Sequence, residues 1–197
     1  LAPLLARASV VACGPGLGRS SWWGAALFRK VLESGLPRVL DADALNLLAE
    51  APAQPGDAIL TPHPGEAARL LGITTAEVQA DRHAAAAALV QRYRCAVVLK
   101  GAGSIIAAPG ALPCVLDAGN PGMATGGMGD LLTGAIAAMR AQGRDAFEAG
   151  CAGALLHSAA GDAAVGGDGQ RGLLPSDLLP WLRRLANPST SQAAAEC

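Results

Sequence analysis

The stretch AVVLKGAGS (Ala96–Ser104) passes from four apolar residues directly into a lysine and a glycine turn. An apolar run this short, rich in β-branched residues and closed by glycine, reads as a buried strand rather than a helix. The same pattern recurs upstream in SVVACGPGLG (Ser9–Gly18), RVLDADALN (Arg38–Asn46) and AILTPHPGE (Ala58–Glu66), so the four strands are expected at Ser9–Cys13, Arg38–Leu40, Ala58–Leu60 and Ala96–Leu99. Helical segments stand between these strands. One runs to about Glu33, with Ser20 and Ser21 as caps, and a short one spans Ala44–Ala49. A third follows the capping box of Thr74 and Glu77 and continues to Tyr93, with Val78, Ala85 and Leu89 on one face. Strands that alternate with helices define an α/β chain with a mainly parallel sheet. Ligands of such sheets sit outside the carboxyl ends of the strands. The four polar segments are therefore expected on one edge.

Downstream, Ser104–Ala108 and Pro113–Leu116 form a hairpin around Pro109-Gly110. NPGMATGGMGDLLTGAIAAM (Asn120–Met139) then places a glycine-rich turn at the start of a helix that buries Leu131, Leu132, Ala135, Ile136 and Met139. Asp145 to about Ala164 is a helix of small residues, and Pro175–Leu185 is the last helix. Residues 1–186 are expected as one domain, with Asn187–Cys197 a flexible tail.

Composition narrows the function. Apolar residues make up 51%, charged residues 16% and aromatics 3%, with a net charge of −1. This is a globular chain without the charge or the stacking platforms of a nucleic-acid binder. No apolar run is long enough for a membrane span. The five cysteines include no C-x-x-C pair and suit free thiols in a reducing cytoplasm. LAPLLARASVVAC superficially resembles a secretion signal, but Arg7 interrupts it, and its end reads better as a buried strand.

The chemistry concentrates in the loops. Gly126, Gly127 and Gly129 let backbone N–H groups approach an anion at a helix N-terminus. Asp130 behind them has two readings: a first-turn residue that favours the helix dipole, or a base that takes the proton of an alcohol attacking phosphorus. Lys100 to Ser104 is either an ordinary hairpin entrance or a phosphate-contacting loop. His63, between Pro62 and Pro64, is either structural or aimed into a site, and Glu66 reads equally as a first-turn helix residue. Asp41 and Asp43 end a strand and read equally as metal-reaching or helix-capping groups. His157, among small neighbours, reads as a satisfied core group. The histidines and cysteines make no zinc pattern.

Taken together, GPGLG, LDADALN, TPHPGE, LKGAGS and NPGMATGGMGD occur in the order found in ribokinase-like ADP-dependent (S)-NAD(P)H-hydrate dehydratases, and the chain resembles that family from Val10 to about Leu185. HSAAGDAA (His157–Ala164) and LLPSDLL also match. The resemblance implies a ribokinase-like sheet with helices on both faces. It implies that Asp130 is catalytic and touches the hydrate, and that Gly16, Gly18 and His63 also bind the hydrate. Lys100, Gly101, Ala102, Gly103, Ser104 and Gly129 become nucleotide contacts. His63–Glu66 occupies the slot of the kinase N-x-x-E motif, so Glu66 is implied indirectly in magnesium binding. ADP is the implied co-substrate with Mg2+, and the implied partners are a fused or separate epimerase domain and copies of the chain in a homo-oligomer, a tetramer in resembling proteins. Family members carry strands before GPGLG, so the domain is expected to be N-terminally truncated. Two other readings stand beside the dehydratase: a vitamin-precursor kinase of the same fold, and a non-catalytic nucleotide sensor.

Overall fold

The computed structural model describes residues 1–18 and 22–187. Its sheet has six strands in the order β1-β2-β3-β4-β5-β6. β1 (Val11–Cys13), β2 (Arg38–Leu40), β3 (Ala58–Leu60) and β4 (Ala96–Leu99) are parallel neighbours. β5 (Ile105–Ala107) and β6 (Cys114–Val115) continue antiparallel as the expected hairpin. Every residue of β2, β3 and β4 is buried, as expected of parallel strands covered on both faces.

The cover has two layers because successive side chains leave a strand on opposite sides. Leu40, Leu60, Val97 and Leu99 pack with the helices that link the parallel strands. These are α2 (Trp22–Glu33), α3 (Ala42–Glu50), α4 (Pro64–Leu71), α5 (Thr75–Ala80) and α6 (Arg82–Tyr93), after a short α1 (Ala2–Leu5). Val39, Ile59, Val98 and Ile106 face the other way, onto Leu132 and Ile136 of α7 (Met128–Ala141) and Ala149 and Ala154 of α8 (Ala146–Asp168). The last helix, α9 (Pro175–Leu185), closes a small cluster through Leu178 against Met128 and Ala160. Burying a side chain such as Ile136, which is fully enclosed, contributes roughly 1.5–3 kcal/mol. The glycines of α8 allow that packing: a Cβ at Gly153 would lie 2.7 Å from the Ile136 Cα.

Several helices differ from expectation. The first-turn reading of Glu66 holds, and the helix begins inside the TPHPGE loop: Pro64 is the first residue of α4 and His63 caps it. Proline is favoured there because its fixed φ suits a first turn and its missing N–H has no helical partner to lose. The single helix expected from Thr74 to Tyr93 is two. Asp81 ends α5 with φ −145° and turns its carboxylate to cap α6 through the Ala84 N–H at 2.8 Å. α3 starts two residues before Ala44, α7 starts at Met128 ahead of Asp130, and α8 runs past Ala164. The proposed caps Ser20 and Ser21 and the tail beyond Asn187 lie outside the described residues.

Candidate functional site

The parallel register brings the four polar segments to one edge, as expected. The ladder continues past each strand end: the Asp41 N–H donates to the Cys13 carbonyl, Thr61 to Leu40 and Lys100 to Pro62. At Gly14, with φ +136°, any Cβ would overlap the Asp41 backbone, so β1 can turn here only with glycine.

Asp41 is the centre of this edge. It is 1% exposed. Its Oδ1 accepts from Lys100 Nζ at 2.8 Å and its Oδ2 from Thr133 Oγ1 at 2.9 Å. It occupies the N-cap position of α3 but makes no capping bond. The helix-cap reading of Asp41 holds for its position but not for its side chain, which anchors Lys100. Asp43, in the first turn of α3, accepts from the Gly18 N–H at 2.8 Å and so pins the GPGLG loop.

His63 and Glu66 form a reciprocal capping box. His63 Nδ1 accepts from the Gly65 and Glu66 N–H groups at 3.0 and 3.3 Å, while Glu66 Oε2 accepts from the His63 N–H at 2.8 Å. A ring nitrogen that accepts carries no proton, so in the neutral ring the hydrogen sits on Nε2. Nε2 lies 3.5 Å from Glu66 Oε1, and half of the His63 side chain is exposed. Glu66 is buried, with Oε2 3.8 Å from Lys100 Nζ. One ammonium thus faces two carboxylates.

From the opposite side comes the start of α7. Gly127, with φ +86°, is its N-cap. A Cβ at Gly129 would lie 3.2 Å from Lys100 Nζ, so the lysine head rests against that backbone. Asp130 is exposed and opens on a cavity of about 500 Å³ that also contains Asp41, His63, Glu66 and Lys100. A second cavity of about 810 Å³ is lined by Lys100 to Ser104, the loop after β6 and His157. The two meet over Lys100, Gly101, Met128 and Gly129. Gly16 keeps an open surface, with nothing within 4 Å of where a Cβ would be, but neither Gly16 nor Gly18 lines these two cavities.

The loop over the larger cavity hangs from α8. Asp162 accepts from the Gly119 N–H at 2.8 Å and from Asn120 Nδ2 at 2.9 Å, while Asn120 Oδ1 accepts from the Gly122 N–H. Gly161 leaves room for Met123, whose Sδ a Cβ there would overlap. His157, one turn earlier, is buried but is not a satisfied core group, because its Nε2 has no partner. Burial pushes its pKa down to about 4; a hydrogen bond with the Met128 backbone opposes this and the Lys100 charge adds to it. The ring is therefore neutral at pH 7. Asp162 and Thr133 were not singled out in the sequence, and their only signal was position inside the HSAAGD and GDLLTG segments.

Metal holding can be judged from the donor set. Among the described residues no group of three His, Cys, Asp or Glu side chains could hold an ion. Asp41 is spent on Lys100 and Thr133, and Glu66 on the cap. These residues do not fit a protein-built magnesium site. Among the same residues, no helix is long and apolar enough to cross a membrane.

A three-layer α/β sheet with a two-chambered cleft at its strand ends, a glycine turn opening a helix and an aspartate behind it defines the ribokinase-like class. Within that class the chain belongs to the NAD(P)H-hydrate dehydratase family, whose model matches residues 2–184. It is 55% identical over 188 residues to the bifunctional NAD(P)H-hydrate repair enzyme Nnr of Coxiella burnetii, covering 95% of this chain and 38% of that protein. It is 45% identical to the ADP-dependent (S)-NAD(P)H-hydrate dehydratase of Neisseria meningitidis, covering 93% of this chain and 64% of that one. The ADP/ATP-dependent NAD(P)H-hydrate dehydratase of Bacillus subtilis, co-crystallised with ATP/Mg2+, superposes with a TM-score of 0.81 at 33% identity, over 90% of this chain and 64% of that one. The chain thus spans less than two thirds of the length of these relatives.

Proposed function

We propose that this chain carries the dehydratase half of nicotinamide cofactor repair: it converts (S)-NAD(P)H hydrate to NAD(P)H while ADP becomes AMP and phosphate. The observation that carries the reading is the pairing, across one cleft, of an anion-facing side with an acid–base side. The Gly127–Gly129 turn offers backbone donors to a phosphate, beside the Lys100 ammonium that Asp41 holds in place. Asp130 and the Nε2–H of His63 share the smaller chamber, where the hydrate's hydroxyl would lie.

In this reading Asp130 takes the proton of that hydroxyl as its oxygen attacks the terminal phosphorus of ADP, and AMP leaves. The C–O bond then breaks with its electrons on phosphate. The ring nitrogen supplies a pair, the neighbouring carbon gives up a proton, and dihydronicotinamide is restored. Lys100, Gly101, Ala102, Gly103, Ser104 and Gly129 hold the nucleotide; His63, Gly16 and Gly18 hold the hydrate. Magnesium would arrive on the nucleotide phosphates with its waters, with Glu66 acting on it only indirectly, and no step above depends on it. We place the chain in the cytoplasm, within or beside a protein that carries an epimerase domain, and as a homo-oligomer.

The test is incubation with ADP and hydrated NADH. Return of the reduced-nicotinamide absorbance with release of phosphate is the expected result. A stable phosphate ester would mean a kinase, and nucleotide binding without turnover a sensor.

A further inference from the structure

Arg82 opens α6 on the far side of the Lys100–Ser104 loop and lines neither cavity. Its guanidinium is nonetheless spent on that loop. Nη1 donates to the Ala102 carbonyl; Nη2 donates to the carbonyls of Leu99 at 3.2 Å and Lys100 at 3.4 Å. Its Nε is buried without a partner. Gly101, with φ +147°, lies over it, and a Cβ there would come within 2.9 Å of Nη2.

Two features argue that this arginine does not serve its own helix. A cation in the first turn opposes the helix dipole, and the carboxylate at that end, Asp81, is engaged as the N-cap through the Ala84 N–H. A buried, unpaired N–H also carries a desolvation cost. A residue that breaks local rules in this way is usually tied to function. What it achieves is orientation. Binding the outward carbonyls of residues 99, 100 and 102 from behind turns that side of the peptide chain away from the cleft. It also fixes the backbone from which Lys100 reaches Asp41, and it adds a positive charge behind the loop.

We propose that Arg82 is the positioning residue of the nucleotide loop, setting nucleotide affinity through the carbonyls of Leu99, Lys100 and Ala102 without touching the nucleotide. This rests on the assignment of that loop to the nucleotide. Calorimetric titration with ADP, KM for hydrated NADH and amide hydrogen exchange over residues 100–104 test it in the full protein. Arg82→Ala should lower ADP affinity by about 10- to 100-fold and speed exchange in the loop, with the hydrate KM unchanged. Arg82→Lys should recover only part of the affinity, because an ammonium cannot reproduce the guanidinium fork.

Unchanged ADP affinity in a folded Arg82→Ala, or equal losses of ADP affinity and hydrate KM, overturns the proposal. Should Arg82→Ala not fold, Arg82→Lys decides, and wild-type ADP affinity there overturns it. A wild-type protein that binds no ADP overturns the loop assignment and the proposal together. Binding by the wild type with equal binding by the variant overturns the proposal alone.

Discussion

The two halves of the cleft are held by different means. The half around Asp41, His63 and Lys100 is built on strand ends, where backbone ladder bonds and a buried carboxylate fix every group. The half made by residues 117–127 is a loop suspended from one face of α8 by Asp162 and by the fit of Met123 over Gly161. The strand ends that carry Asp41, Thr61 and Lys100 are rigid because β2, β3 and β4 are each paired on both sides. A loop hung on exposed side-chain bonds opens at lower cost. The difference assigns roles: the strand-end half is suited to hold charge in fixed geometry, and the suspended half to admit and release a ligand.

The sharpest test lies where the halves meet. Asp130→Asn should cut turnover by about 10²–10⁴-fold and leave ADP affinity unchanged, measured by steady-state rates and titration. Near-normal turnover would remove Asp130 from the chemistry and the division of roles with it.

Next comes the anchor of the rigid half. Asp41→Ala leaves the Lys100 ammonium and the Thr133 hydroxyl without their partner. Breaking a buried pair in this way costs about 3–5 kcal/mol, readable in urea unfolding. A loss below 1 kcal/mol would show that the strand-end half is no more firmly fixed than the surface.

His157 links α8 to the start of α7, and its signature is in pH. The folded protein holds it with a pKa near 4, against 6.5 when unfolded. Above pH 6.5 it is neutral in both states and costs nothing. As pH falls from 6.5 to 4, the unfolded chain takes up a proton that the folded one does not, so stability drops by up to about 3 kcal/mol. His157→Gln should flatten this slope in melts across that window. An unchanged slope would mean that the ring is not held neutral by burial.

The smallest effect is expected in the suspended half. Asp162→Ala should raise the nucleotide KM by about three- to tenfold with little change in melting temperature. A large loss of stability would make this loop as structural as the strand ends and erase the comparison.

The sequence by itself determined β2, β3 and β4 to the residue, the hairpin after Lys100, the α/β class and the polar segments at the strand ends. All of these rest on local signals: short β-branched runs, and glycine, proline or aspartate where the backbone must turn. Two local signals competed. Pro62 and Pro64 left open whether Glu66 stood in a loop or in the first turn of the helix that Pro64 starts, and Asp81 looked like a helix-interior residue where its side chain ends one helix and begins another. What only the tertiary structure decided is which polar groups meet. Asp41 finds Lys100 59 residues on and Thr133 92 residues on, and Asp162 reaches back 42 residues to Asn120. Arg82 and His157 gain their surroundings only when α6 and α8 pack beside loops distant in the chain. Pattern and propensity report on neighbours along the chain, whereas partnership between buried charges is set by how sheet and helices stack.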